Sequence, residues 1–137
     1  MNQSYEKRLR YITEALDEMK YALSVYRNAG KDAKYFYYAA QKKAEEVIET
    51  AITLNQDLIY ERLDLMAKSY YNSFTDLDKL NILPIDELKK LASTAGFRNR
   101  LAHEYTNLDP QITVDSMEYI LKLYPFYLEA MQTYLTK

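Results

Sequence analysis

Residues 37–55, Tyr37-Tyr38-Ala39-Ala40-Gln41-Lys42-Lys43-Ala44-Glu45-Glu46-Val47-Ile48-Glu49-Thr50-Ala51-Ile52-Thr53-Leu54-Asn55, decide the fold. Tyr37, Ala40, Ala44, Val47, Ile48, Ala51, Ile52 and Leu54 follow the three-and-four spacing that gathers side chains on one side of an α-helix. No glycine or proline interrupts the stretch, and Asp32 upstream has the short acceptor side chain of an N-cap. The expected helix runs from about Asp32 to about Asn55. A long helix with one apolar side buries it only against other helices, so the stretch predicts a bundle.

The same periodicity continues outward. Upstream, Leu9, Ile12, Leu16, Met19 and Leu23 form a stripe on a helix over Ser4–Asn28, ended by Asn28-Ala29-Gly30. Downstream, Leu58–Ala67 reads as a separate, weaker segment that gives way to polar sequence. Ser73 or Thr75 is then the expected cap of a short helix over Leu77 and Leu80. Asn81-Ile82-Leu83-Pro84 breaks the chain, because the residue before proline is driven from helical geometry. Asp86 opens a helix with Leu88, Leu91, Ala92 and Ala95 inward, and Asp109-Pro110 opens the last one. On that helix Ile112, Val114, Met117, Ile120, Leu121, Leu123, Tyr124 and Leu128 are the expected apolar face, with a kink at Pro125. No strand-like alternation appears. The expectation is an all-α, up-and-down helical bundle.

Length and composition narrow the classes of function. One domain over 1–137 is expected at this size. A hydrophobic share of 48% and a charged share of 28% belong to globular chains and exclude a disordered one. No apolar run approaches the roughly 18–20 residues of a membrane span, and the charged N-terminus carries no secretory pattern. Cytoplasmic location and no membrane contact are therefore expected. A net charge of −2 does not suit a protein that coats nucleic acid. Attraction is screened over roughly 8–10 Å at physiological salt, so a local basic site can still hold phosphate. The chain has no cysteine, so thiolate metal sites are excluded. The two glycines, Gly30 and Gly96, cannot build a phosphate loop, and no cofactor is implied. The 15 tyrosines, among them Tyr35, Tyr38, Tyr70, Tyr71, Tyr124 and Tyr127, read as core edge or subunit interface.

Chemistry concentrates in Arg98-Asn99-Arg100-Leu101-Ala102-His103-Glu104-Tyr105, which holds the only histidine of the chain. A lone histidine is ordinarily a surface residue bonded to a neighbour. Here the cationic and amide side chains around it form a donor set suited to metal-free cleavage of RNA. RNA brings its own nucleophile, the 2′-hydroxyl, so the site needs a group that moves protons near neutral pH and a cation for the phosphate. Histidine, with a reference pKa near ~6.5, meets the first need. Arginine, a planar fork of donors, meets the second as charge builds on the non-bridging oxygens. Hydrolytic metal chemistry is disfavoured, because no second histidine or Glu-x-x-His pair exists.

Spacing adds a condition. Asn99 and His103 share a helical face, whereas Arg98 and His103, five residues apart, diverge by roughly 140°. A second copy facing the first across a two-fold axis would join them, so a homodimer with a shared cleft is expected. The plainer roles stand beside the chemical ones. Arg98 would otherwise pair with a carboxylate such as Glu104 or Asp109, and Asn99 either orients His103 or caps a helix end. Arg100 would be solvated or touch the RNA backbone. Glu45, Glu46 and Glu49 read as a solvated face.

With its flanks, Gly96-Phe97-Arg98-Asn99-Arg100-Leu101-Ala102-His103-Glu104-Tyr105 resembles the Arg-x-x-x-x-His-x-Tyr signature of HepT-like HEPN proteins. Asn81-Ile82-Leu83-Pro84 before it and Asp109-Pro110 after it agree, and the resemblance spans roughly Gln41 to the C-terminus. It implies a dimeric HEPN-type bundle and a metal-independent ribonuclease centred on Arg98 and His103. It also implies the toxin half of a toxin–antitoxin pair whose partner is a minimal nucleotidyltransferase. That partner would silence the toxin by transferring AMP to Tyr105, adding bulk and negative charge beside the phosphate site. The alternative is a catalytically inactive helical module that uses the same segment to bind a nucleotidyltransferase or a nucleotide.

Overall fold

A computed structural model describes residues 1–29, 33–103 and 107–137. Among these, five α-helices account for almost all of the chain: α1 Gln3–Asn28, α2 Ala33–Leu63, α3 Tyr70–Thr75, α4 Ile85–His103 and α5 Pro110–Leu135. A 3-10 turn, Asp76–Leu80, follows α3. No strand occurs among the described residues, and no helix there is long and apolar enough to cross a membrane.

The helix pairs fix the topology. Along α1 and α2, Tyr5 meets Glu61, Arg8 meets Asp57, Lys43 meets Glu18, and Tyr26 meets Tyr37, so the two run antiparallel. Tyr127 bonds Asn55 and Arg62 bonds Tyr134, which sets α5 parallel to α2. Thr94 meets Tyr124, while Ile82 and Leu83, just before α4, share a hollow with Phe126, Glu129 and Thr133 further along α5, so α4 opposes α5. The result is the up-and-down bundle that the sequence predicts.

The predicted stripes of α1 and α2 are buried in full, as are the four inward residues of α4. Local chemistry sets the ends. Asn2 caps α1 by accepting from the Ser4 and Tyr5 amides, and Asp109 caps α5 by accepting from those of Gln111 and Ile112. Asn81 follows the 3-10 turn with φ 56°, the left-handed geometry that asparagine tolerates well. The Asp32 cap expected for α2 lies outside the described residues.

Four expectations need correction. First, α2 does not stop at Asn55 but takes in Leu58 and Ile59 and ends at Leu63. Asn55 is fully buried there, its Oδ1 accepting 2.6 Å from the Tyr127 hydroxyl, so a residue that reads as a boundary is a core hydrogen-bonding group. Second, an additional short helix, α3, begins earlier, at Tyr70, capped by Ser69; the turn over Leu77 and Leu80 is 3-10, with Thr75 at its N-cap position but making no side-chain bond there. Third, Ile112 is 62% exposed, because the buried register of α5 passes through Thr113, Met117, Ile120, Tyr124, Tyr127, Met131 and Leu135. Fourth, Tyr124 and Tyr127 are core residues, each with its hydroxyl satisfied inside the bundle. Pro125 sits within a single unbroken α5.

Candidate active site

The chemical segment occupies the last turns of α4. Phe97 and Leu101 are buried and anchor that end of the helix, leaving Asn99, Arg100 and His103 exposed and Arg98 half-buried. Arg98 does not extend into solvent. Its Nε donates to Glu49 Oε1 across 2.9 Å, and Nη2 donates to the same oxygen. Nη1 reaches Asn99 Oδ1 at 3.4 Å. The guanidinium carbon lies 5.6 Å from the centroid of the Tyr70 ring, within range of a cation–π contact. Arg98 is thus held by α2 on one side and by α3 on another.

Two expectations about these residues change. The partner of Arg98 is Glu49, not Asp109, whose carboxylate is spent on the α5 cap. Glu104, the other candidate, lies outside the described residues, as does Tyr105. Nor is the acidic run on α2 simply a solvated face: Glu45, Glu46 and Glu49 are all half-buried, and Glu46 pairs with Lys43. Glu49 and Tyr70 are the residues that reading the sequence missed. The one available signal for Glu49 is its place directly beside the buried Ile48, at the edge of the apolar stripe.

His103 is the final residue of α4, and the helix is regular up to it. Five residues on such a helix advance about 7.5 Å and turn about 140°. Arg98 and His103 therefore leave one chain in different directions, the first tucked against α2 and α3, the second open to solvent. Asn99 stands between them in angle, bonded to Arg98 and one turn before His103. Arg100 lies with its guanidinium carbon 5.7 Å from the Phe97 ring. A single protomer thus offers a pre-set cation and a solvent-exposed imidazole that leave the helix in different directions.

Gly96 is not required sterically. It is exposed on α4, and a Cβ there would meet only Arg100 Nη1 at an ordinary 3.7 Å.

The family model described as "Ribonuclease HepT-like" matches residues 9–131. A protein named tRNA nuclease HepT, from Aphanizomenon flos-aquae (strain 2012/KM1/D3), is 28% identical over 134 residues, covering 95% of this chain and 88% of that one. Among solved structures, the tri-AMPylated Shewanella oneidensis HEPN toxin in complex with MNT antitoxin has the same fold, with a TM-score of 0.83. The match covers 97% of this chain and 99% of that one at 17% identity, so it speaks for the fold and bears out the HEPN-type bundle.

Proposed function

This chain belongs to the HepT-like ribonuclease family, and from that premise we propose that it is a metal-independent endoribonuclease acting as the toxin of a toxin–antitoxin pair. The observation that carries the proposal is the state of Arg98. It is a cation held in place by Glu49 and Tyr70, at the end of a helix that also presents Asn99 and His103. Preorganised charge of this kind stabilises a developing oxyanion without reorganising at the moment of reaction. Arg98 holds the non-bridging oxygens. His103 takes the proton of the 2′-hydroxyl as that oxygen attacks phosphorus; the bond to the 5′-oxygen breaks, leaving a 2′,3′-cyclic phosphate and a 5′-hydroxyl that takes its proton from water. Asn99 orients His103 or shares the phosphate, and Arg100 touches the RNA backbone. The name of the Aphanizomenon relative makes tRNA the first substrate to try.

The divergence of Arg98 and His103 on one regular helix favours a homodimer, in which the two copies face each other across a cleft. The Shewanella complex supports a nucleotidyltransferase antitoxin as the second partner. Silencing then follows from AMP on Tyr105, which places negative charge two residues from His103 and repels the substrate phosphate. The chain acts as one HepT-like domain over 1–137 with no cofactor.

The test is cleavage of labelled tRNA by purified, unmodified protein in excess EDTA, beside His103→Ala and Arg98→Ala. Cleavage by the parent alone is expected, with all three proteins folded. Equal cleavage by the His103 variant, or no cleavage by the parent, sinks the proposal and leaves the non-catalytic module. Co-expression with the antitoxin should add adenylyl mass that disappears in Tyr105→Phe; an unchanged intact mass removes the AMP step.

A further inference from the structure

Arg98 is restrained from a direction that its ion pair does not control. Glu49 engages Nε and Nη2 and fixes one edge of the guanidinium, but an ion pair alone leaves the plane of the group free to swing about that edge. The Tyr70 ring, 5.6 Å from the guanidinium carbon, supplies the missing restraint. A ring face attracts a cation through its quadrupole and gives a planar group a flat surface to lie on.

Tyr70 is itself well placed for the task. It is the first residue of α3, directly after the Ser69 cap, whose hydroxyl accepts from the Asn72 amide at 3.0 Å. Its own carbonyl accepts from the Ser73 hydroxyl at 2.6 Å. The backbone that carries the ring is therefore pinned on both sides, while the residue remains 44% exposed and stands outside the buried core.

Resting on the ribonuclease reading above, we infer that Tyr70 is a positioning residue of the active site. It acts through Arg98, and its ring rather than its hydroxyl does so. With Glu49 on one edge and Tyr70 on one side, the outer Nη1 end of Arg98 is the part left for a phosphate oxygen. Asn99 Oδ1, at 3.4 Å, is its weak partner until substrate arrives. Because Arg98 acts on charge that builds during the reaction, loss of the ring lowers kcat and leaves KM nearly unchanged.

The experiment compares Tyr70→Leu, Tyr70→Phe and Arg98→Ala in the tRNA cleavage assay, with thermal stability measured for each. Tyr70→Leu is expected to lower kcat by roughly 3- to 30-fold with only a small loss of thermal stability and an intact fold, the range a cation–π contact supports. Tyr70→Phe is expected to restore it to within about twofold, because phenylalanine keeps the ring. Full activity in Tyr70→Leu, or equal loss in Tyr70→Phe, overturns the inference about Tyr70 while the site reading stands. Full activity in Arg98→Ala overturns the site reading itself. As a further check, Tyr70→Leu should cost little in an Arg98→Lys background, since lysine lacks the planar group that the ring supports. An undiminished loss there shows that Tyr70 acts by another route and overturns the inference.

Discussion

Arg98 and Glu49 are joined across the α4–α2 contact by two guanidinium donors that converge on one carboxylate oxygen, Nε at 2.9 Å and Nη2 beside it. On the proposed function, the pair would have two opposed effects on a substrate phosphate. Glu49 fixes the cation, and it also offsets part of its charge. Glu49→Ala should therefore lower kcat by about tenfold, because the guanidinium loses its seat, while KM holds or falls. Stability should change little, since the Glu49 side chain is 40% exposed and such pairs contribute about 0.2–1 kcal/mol. A raised KM at unchanged kcat would show that Glu49 serves substrate binding instead.

Tyr127 and Asn55 make the opposite kind of contact, fully buried and remote from the motif. Tyr127→Phe removes the hydroxyl and strands the Asn55 carbonyl oxygen in the core. The expected cost is about 1–3 kcal/mol, with Tm lower by roughly 3–10 °C. Asn55→Leu combined with Tyr127→Phe removes both polar groups and should recover part of the loss. Additive losses in the double variant would mean that the two residues are not coupled.

Much of the bundle is legible in the sequence, because helical periodicity reports on apolar faces. Ile48, Ile52, Leu16 and Met19 are where their spacing puts them. What stays hidden is polar chemistry that a fold turns inward. Asn55 and Asn2 carry the same side chain, yet one bonds in the core and the other caps a helix, and local pattern does not separate those uses. At the site, His103, Asn99 and Arg98 are evident because they lie within six residues of one another. Glu49 and Tyr70 reach Arg98 only through tertiary packing, so no spacing along the chain announces them.

Gly96 gives a prediction of the reverse sign. Glycine inside a helix costs conformational entropy, and nothing at this position needs the missing side chain. Gly96→Ala should raise stability by about 0.5–1 kcal/mol and leave the fold intact, as read by chemical denaturation. A loss of stability would mean that an assembly contact fills the space beside Gly96.

Alkaline pH should unfold the chain through its tyrosines. Burial, together with a 2.5 Å hydrogen bond to the Glu61 carboxylate, pushes the Tyr5 hydroxyl from 10.0 up to about 12. Burial also raises Tyr124 and Tyr127. Below pH 10 each hydroxyl is protonated in folded and unfolded chains alike, and its contribution is complete. Above it the unfolded chain ionises first, so stability is lost as pH rises through the folded values. Tm should fall steeply between about pH 10 and about pH 12, and less steeply in Tyr5→Phe. Identical slopes for the two proteins would show that Tyr5 carries none of the effect.

The seat of Arg98 is drawn from three helices far apart along the chain: Glu49 from α2, Tyr70 from α3, and Arg98 itself from α4. During synthesis the two holding residues are made first and the cation arrives last. Until α4 has emerged and packed against α2, the chain contains every part of the grip except the group it grips. On the function proposed above, a nascent chain made in this order cannot hold a phosphate at Arg98 until the bundle closes.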